Sequence, residues 1–98
     1  MRIAVIGSGI AGLASAWWLS QRHDVVLYEA NDYLGGHTHT HDVEQAGRRY
    51  AIDSGFIVFN PDNYPLLCGL FDELGVASQP TTMSFSVHSD RSGVEYSA

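Results

Sequence analysis

The sequence contains no lysine, and its five basic residues, all arginine, face eleven carboxylates for a formal net charge of −6. With no basic run anywhere along it, the chain lacks the electrostatic footprint of a nucleic-acid binder or of a protein held on an anionic membrane. Cysteine is nearly missing too. Cys68 stands alone, which excludes an internal disulfide and fits a reducing compartment. With only three prolines and a hydrophobic fraction of 45%, the composition excludes collagen-like and disordered chains. The 98 residues allow one domain at most. Long apolar runs are scarce: IAVIGSGIAGLASAWWLSQ is marginally short for a membrane span and is broken by Gly7, Gly9 and Gly12. Preceded by Arg2 and containing Ala14-Ser15-Ala16, it imitates a secretory signal cut after Ala16. Its regularly spaced glycines weaken an isolated apolar helix and have a better account below, so the expected location is cytoplasmic.

What is present reads as α/β. Residues 2 to 6, RIAVI, form a short apolar run ended by glycine, the pattern of a buried parallel strand. From about Ile10 to Gln21, Ala11, Ala14 and Trp18, with Leu13 and Trp17, recur at spacings of three and four and predict a helix with a stripe for a sheet, closed by Arg22 and His23. Trp17 and Trp18 are adjacent and face different directions, so one is expected in the core. Asp24 opens a second run, VVLYEA, ended by the turn-prone Asn31-Asp32. The whole is the size of a βαβ unit.

After Gly35-Gly36 the pattern changes: THTHDVE alternates, Ala46-Gly47 signals a turn, and RRYAIDS returns, which predicts a β-hairpin. GFIVF is a further apolar run. From about Tyr64 to Leu74 the residues Leu66, Leu67, Leu70, Phe71 and Leu74 form a helical stripe, with Asp62 or Asn63 as N-cap, Pro65 in the first turn and Gly75 as the stop. MSFSVHS reads as a strand, DRSG as a turn, and VEYSA as the start of a strand left unfinished, the mark of a piece of something longer.

The segment VIGSGIAG sets Gly7, Gly9 and Gly12 as G-x-G-x-x-G where a strand meets a helix, and Glu29 closes the second strand 22 residues after Gly7. That pattern predicts dinucleotide binding. Gly7 makes the turn, Gly9 admits a pyrophosphate with no Cβ in its way, and Gly12 lets helix and strand approach. The intervening Ser8, Ile10 and Ala11 lie at the unpaired N–H groups and positive dipole end of the helix. Glu29, followed by Ala30, can accept hydrogen bonds from both hydroxyls of an adenosine ribose and would repel a 2′-phosphate, which points to FAD or NAD over NADP.

EANDYLGGHT, residues 29 to 38, and DSGFIVFNPDNYPLL, residues 53 to 67, resemble segments of the flavin-containing amine oxidase superfamily, and with FDELGV and MSFSV they are similar to its bacterial NAD/FAD-binding, amine-oxidase-like members. The resemblance implies an α/β Rossmann-type βαβ FAD/NAD(P)-binding domain with an added β-hairpin, incomplete, residues 1–98 being the N-terminal FAD-binding segment and the substrate domain lying outside this chain. It implies FAD as the cofactor, with NAD as the alternative. It puts Gly35, Gly36, His37 and Thr38 along the diphosphate region and Gly55 with Phe56, following Asp53, at the approach to the flavin ring. His37 departs from the pattern, which commonly has Arg there; a neutral imidazole offers one hydrogen bond in place of a permanent forked charge. No residue is assigned a catalytic role, since in the superfamily that work falls largely to residues further along. The parent protein is expected to be an FAD-dependent oxidoreductase acting on a small molecule, and the 98-residue chain alone to be inactive.

The alternating His37, His39 and His41 share one face of a regular strand, the arrangement of a strand-borne zinc site. No native metal site is expected, because His37 belongs to the glycine-pair segment, the strand starts in a loop, and no fourth ligand is evident, Asp42 and His88 being the remaining candidates. Tyr28 and Tyr33 flank the acid and are read as core or surface aromatics, adenine contact being the alternative. Cys68 reads as a small apolar helix residue, and Asp72 and Glu73 as that helix's solvated face. Three rival descriptions stay open: an NAD-dependent dehydrogenase domain, a non-catalytic fragment that self-associates through exposed surfaces and sheet edges, and the secreted peptide.

Overall fold

The computed structural model describes all 98 residues. They form two compact units, Met1–Ile57 and Val58–Ala98. The first begins with strand β1 (Arg2–Ile6), helix α1 (Ile10–Ser20) and strand β2 (Asp24–Tyr28). β1 and β2 pair in parallel, with Arg2 opposite Asp24 and Ile6 opposite Tyr28. Parallel neighbours need a crossover, and α1 is that crossover. Alternation along each strand puts Ile3, Val5, Val25 and Leu27 on the half-buried face and Ala4, Ile6, Val26 and Tyr28 on the exposed one. The helix contacts both strands and covers one face. Each half-covered side chain there contributes about half of the 1.5–3 kcal/mol of full burial.

The half-buried residues of α1 are Gly12, Leu13, Ala14, Ala16 and Leu19, whereas Ala11, Trp17 and Trp18 are exposed. This corrects the expected stripe and its core tryptophan. The helix, IAGLASAWWLS, is apolar nearly all round, so polarity does not select a face. Steric fit selects it. A Cβ on Gly12 would stand far inside contact distance of the Gly7 carbonyl oxygen, so the face bearing Gly12 is the one that meets the loop after β1. Arg22 and His23 lie beyond the last turn, closed by backbone bonds from both amides to the Leu19 carbonyl at 3.1 and 2.9 Å.

Strands β3 (Thr38–Gln45) and β4 (Arg48–Gly55) form the expected hairpin, antiparallel, with Thr38 opposite Gly55 and Gln45 opposite Arg48. Ala46 and Gly47 turn it with φ of 51° and 75°. Both are positive, as a two-residue turn matched to strand twist demands. GFIVF, the further apolar run, contributes only Gly55 to a strand, and residues 56–60 pair with no strand.

In the second unit, helix α2 (Pro65–Leu74) carries Leu70, the one buried hydrophobic residue, with Leu67, Cys68 and Phe71 half-buried. Phe59 meets Phe71 edge to face at 5.3 Å. Leu66 and Leu74 are exposed, so the inner face is narrower than the sequence stripe. The N-cap is Tyr64, with no side-chain cap, in place of Asp62 or Asn63. The Asn60 side chain accepts the Asn63 amide at 2.8 Å and the Asn60 carbonyl the Tyr64 amide at 3.0 Å, so the turn before the helix is closed one step early. Gly75, at φ 70°, ends α2, and the Val76 amide donates back to the Phe71 carbonyl at 2.8 Å. β5 (Ser86–His88) and β6 (Glu95–Ser97) form a second hairpin, so the run VEYSA pairs with the strand read in MSFSVHS. His88 lies between Asp90 and Glu95, at 2.9 and 3.5 Å.

Candidate functional site

The residues singled out from sequence meet in the first unit. Gly7, Ser8 and Gly9 form the loop between β1 and α1, and Ile10, Ala11 and Gly12 the first helical turn. The Gly7 amide donates to the Tyr28 carbonyl at 2.7 Å, which carries the parallel ladder one residue past β1 and puts the loop beside the end of β2. Gly9 is the N-cap of α1, and no side-chain hydrogen bond caps the helix. The first N–H groups of a helix have no partner within it, and the space where a Gly9 Cβ would point is empty to 4 Å. Such a start suits a phosphate group.

Glu29 stands one residue past β2, next to Ala30. Its Oε2 accepts the Ser8 amide at 2.8 Å and the Ser8 hydroxyl, and its Oε1 accepts the Asn31 amide at 2.9 Å. These donors, the Ser8 hydroxyl foremost, favour the ionised form and hold the carboxyl down to about 2 against an ordinary 4.5. The Glu29 carboxylate is therefore anionic across the physiological range.

The glycine pair closes over the loop. The Gly35 amide donates to the Ser8 carbonyl at 2.9 Å, and a Cβ on Gly36 would come to 3.0 Å from Gly9 Cα. Gly36, at φ 62°, can neither bear a side chain there comfortably nor leave room for one. Thr38 donates its amide and its hydroxyl to the Gly35 carbonyl, at 3.1 and 2.7 Å, and opens β3. The Phe56 amide donates to the His37 carbonyl at 3.1 Å, so the base of the hairpin brings Gly55 and Phe56 against His37 and Thr38. Asp53, further along β4, accepts the Thr40 hydroxyl at 2.6 Å across the strands. The two segments that resembled flavin enzymes are thus brought together by one hairpin.

The histidine run makes ring contacts. His39 stacks on Tyr33 at 4.3 Å, nearly parallel, His41 lies tilted 4.0 Å from His39, and His41 Nε2 is 2.9 Å from the Ser54 hydroxyl. No three histidine, cysteine or carboxylate side chains approach one another as a metal would require. Sequence reasoning missed this ring stack and the Ser8 hydroxyl on Glu29. Neither has a sequence signal, because a serine between two glycines reads only as loop.

A parallel βαβ unit with an uncapped glycine loop at its helix start and an ionised carboxylate just past its second strand defines a dinucleotide-binding module of the Rossmann type. The chain belongs to the NAD(P)-binding Rossmann-like domain family, whose model matches residues 5–74. It is 35% identical over 86 residues to tryptophan 2-monooxygenase of Pseudomonas savastanoi, a match covering 86% of this chain and 15% of that protein. To 4,4'-diapophytoene desaturase of Staphylococcus aureus it is 34% identical over 96 residues, covering 93% of this chain and 18% of the relative. The flavin-dependent L-tryptophan oxidase of Lentzea aerocolonigenes is 43% identical over 47 residues, 47% of this chain and 10% of that enzyme. The chain therefore spans less than a fifth of the length of these relatives. It is similar to the N-terminal segment of the flavin amine-oxidase-like superfamily. No helix is long and apolar enough to cross a membrane.

Proposed function

We propose that the chain is the FAD-binding N-terminal segment of an oxidoreductase of the amine-oxidase and desaturase kind, holding the ADP half and diphosphate of the cofactor. The observation that carries this reading is the ionised Glu29 carboxylate beside the uncapped, glycine-lined start of α1. Gly7 and Ser8, whose amides are held by the Tyr28 carbonyl and Glu29, shape the loop, and Gly9, Ile10, Ala11 and Gly12 hold the diphosphate by backbone N–H groups and the helix dipole. Glu29, with Ala30, takes the adenosine ribose, and its fixed negative charge rejects a 2′-phosphate. Gly35, Gly36, His37 and Thr38 carry the chain past the diphosphate, and Gly55 with Phe56 face the flavin side. A bound flavin would accept a hydride equivalent from a C–N or C–C bond of a small-molecule substrate. The residues of this chain bind and orient; none is assigned a catalytic role. The lone cysteine and the lack of a basic run support a cytoplasmic protein with no nucleic-acid partner.

The test is the visible spectrum of the purified chain, with chromatography of whatever heat releases. A flavin spectrum with FAD released, or tight uptake of added FAD by a colourless chain, is the expected result. Binding of NAD with no affinity for FAD overturns the cofactor assignment, and binding of neither overturns the reading of the site. Because the folded pKa of Glu29 lies below its ordinary value, the carboxylate acceptor persists through neutral pH and is lost as pH falls through about 2. Affinity for FAD is therefore expected to be flat from neutral pH down to the ordinary carboxylate range.

A further inference from the structure

Ser8 is the only polar residue of the chain that is fully buried, with an exposure of 0%. It sits between two glycines, in a loop whose neighbours have no side chains, and its own side chain turns away from the open space above Gly9 and toward β2. There it makes bonds to two separate stretches of chain. Its amide donates to Glu29 Oε2 at 2.8 Å, and its hydroxyl donates to the same oxygen. Its carbonyl accepts the Gly35 amide at 2.9 Å, and its hydroxyl oxygen lies 3.4 Å from that amide. The glycine loop is thus joined through one residue to the acid after β2 and the glycine pair before β3, 21 and 27 residues further along.

The consequence for Glu29 follows from counting its acceptor sites. A carboxylate offers about four lone-pair positions over its two oxygens. Oε2 uses two on Ser8 and Oε1 one on the Asn31 amide. The carboxylate cannot rotate without breaking these charge-assisted bonds. The groups acting on Glu29 are the Ser8 hydroxyl, the amides of Asn31, Ser8 and Ala30, and partial burial; no charged side chain is among them. The hydroxyl is the largest of these and the only one a substitution can remove without altering the backbone.

We propose that Ser8 is a positioning residue of the dinucleotide site: its hydroxyl clamps the Glu29 carboxylate in a single ionised orientation, so that a ribose hydroxyl meets a preformed acceptor. This rests on the reading of Glu29 as the ribose acceptor. An alanine at this position keeps the loop backbone, its amide bond to Glu29 and the 2.9 Å Gly35 bond to the Ser8 carbonyl, and removes the clamp together with the longer 3.4 Å contact of the hydroxyl with the Gly35 amide. Preorganisation of this kind strengthens binding by sparing the ligand the ordering of its partner.

The experiment measures ADP binding by calorimetry on the full 98-residue chain, its Ser8→Ala, Glu29→Gln and doubly substituted variants, with the Glu29 carboxyl titrated by carbon NMR. Ser8→Ala is expected to weaken ADP roughly tenfold, the lower end for a hydrogen bond to a charged group. It is also expected to move the Glu29 midpoint up from about 2 toward the ordinary carboxylate range. In the Glu29→Gln background Ser8→Ala is expected to change ADP affinity less than twofold, because the residue it acts through is gone. An equal loss in both backgrounds, or an unmoved Glu29 midpoint, overturns the proposal. So does a wild-type midpoint within the ordinary carboxylate range, a result that does not depend on any variant folding. A wild-type chain that binds no ADP overturns the reading of the site, and this inference with it.

Discussion

Gly12 carries a demand that no other side chain can meet. The carbonyl of Gly7 lies where its Cβ would be, and the obstacle is backbone, which cannot rotate out of the way as a side chain can. Overpacking of this kind costs about 1–3 kcal/mol. Gly12→Ala is therefore expected to lower the urea midpoint of unfolding, and an unchanged midpoint would mean that α1 and the loop are not in contact. Glu29 shows the opposite situation at the same scale: a half-buried acid whose state is set by hydrogen bonds and not by neighbouring charge. By contrast, the Arg2–Asp24 pair at 3.8 Å, open to water on both sides, adds little to stability.

At the scale of elements, the β3–β4 hairpin is the best-defined piece, with an unbroken register from its turn to Thr38 and Gly55. Its weak point is Ala46, the one non-glycine residue of the chain with positive φ. An L-residue with a Cβ in that region costs about 1–2 kcal/mol unless its side chain can compensate locally. Ala46→Asn, the residue this turn prefers ahead of glycine, is expected to stabilise the chain by about 0.5–1 kcal/mol. Differential scanning calorimetry would register it as a raised melting temperature. The sequence legibly predicted this hairpin because alternation and the Ala46-Gly47 pair agree. It misread Asp62 and Asn63 as the N-cap, where Asn60 closes the turn first.

For the molecule as a whole, the notable quantity is how little is buried. Leu70 is the sole buried hydrophobic side chain, while Ile6 is 79% and Tyr28 56% exposed on the uncovered face of the β1–β2 sheet. Alternate apolar residues on an open sheet face with free edges favour association. The chain is expected to self-associate with rising concentration in sedimentation velocity, and Val26→Lys, a charge placed mid-face, is expected to return it toward the monomer. A monomer at every concentration tested would overturn that expectation.

The local alphabet of this protein was legible in its residues. Glycine spacing after a short apolar run, an acid at the end of the next run and a turn pair between alternating strands each depend on contacts between near neighbours, which sequence periodicity records. What α1 buries, and what Ser8 does, depended on tertiary structure. An all-apolar helix has no polarity to orient it, so the clash between Gly12 and the Gly7 carbonyl selected its inner face. A serine flanked by glycines has no informative neighbours, and only the fold brings Glu29 and Gly35 to it from more than twenty residues away.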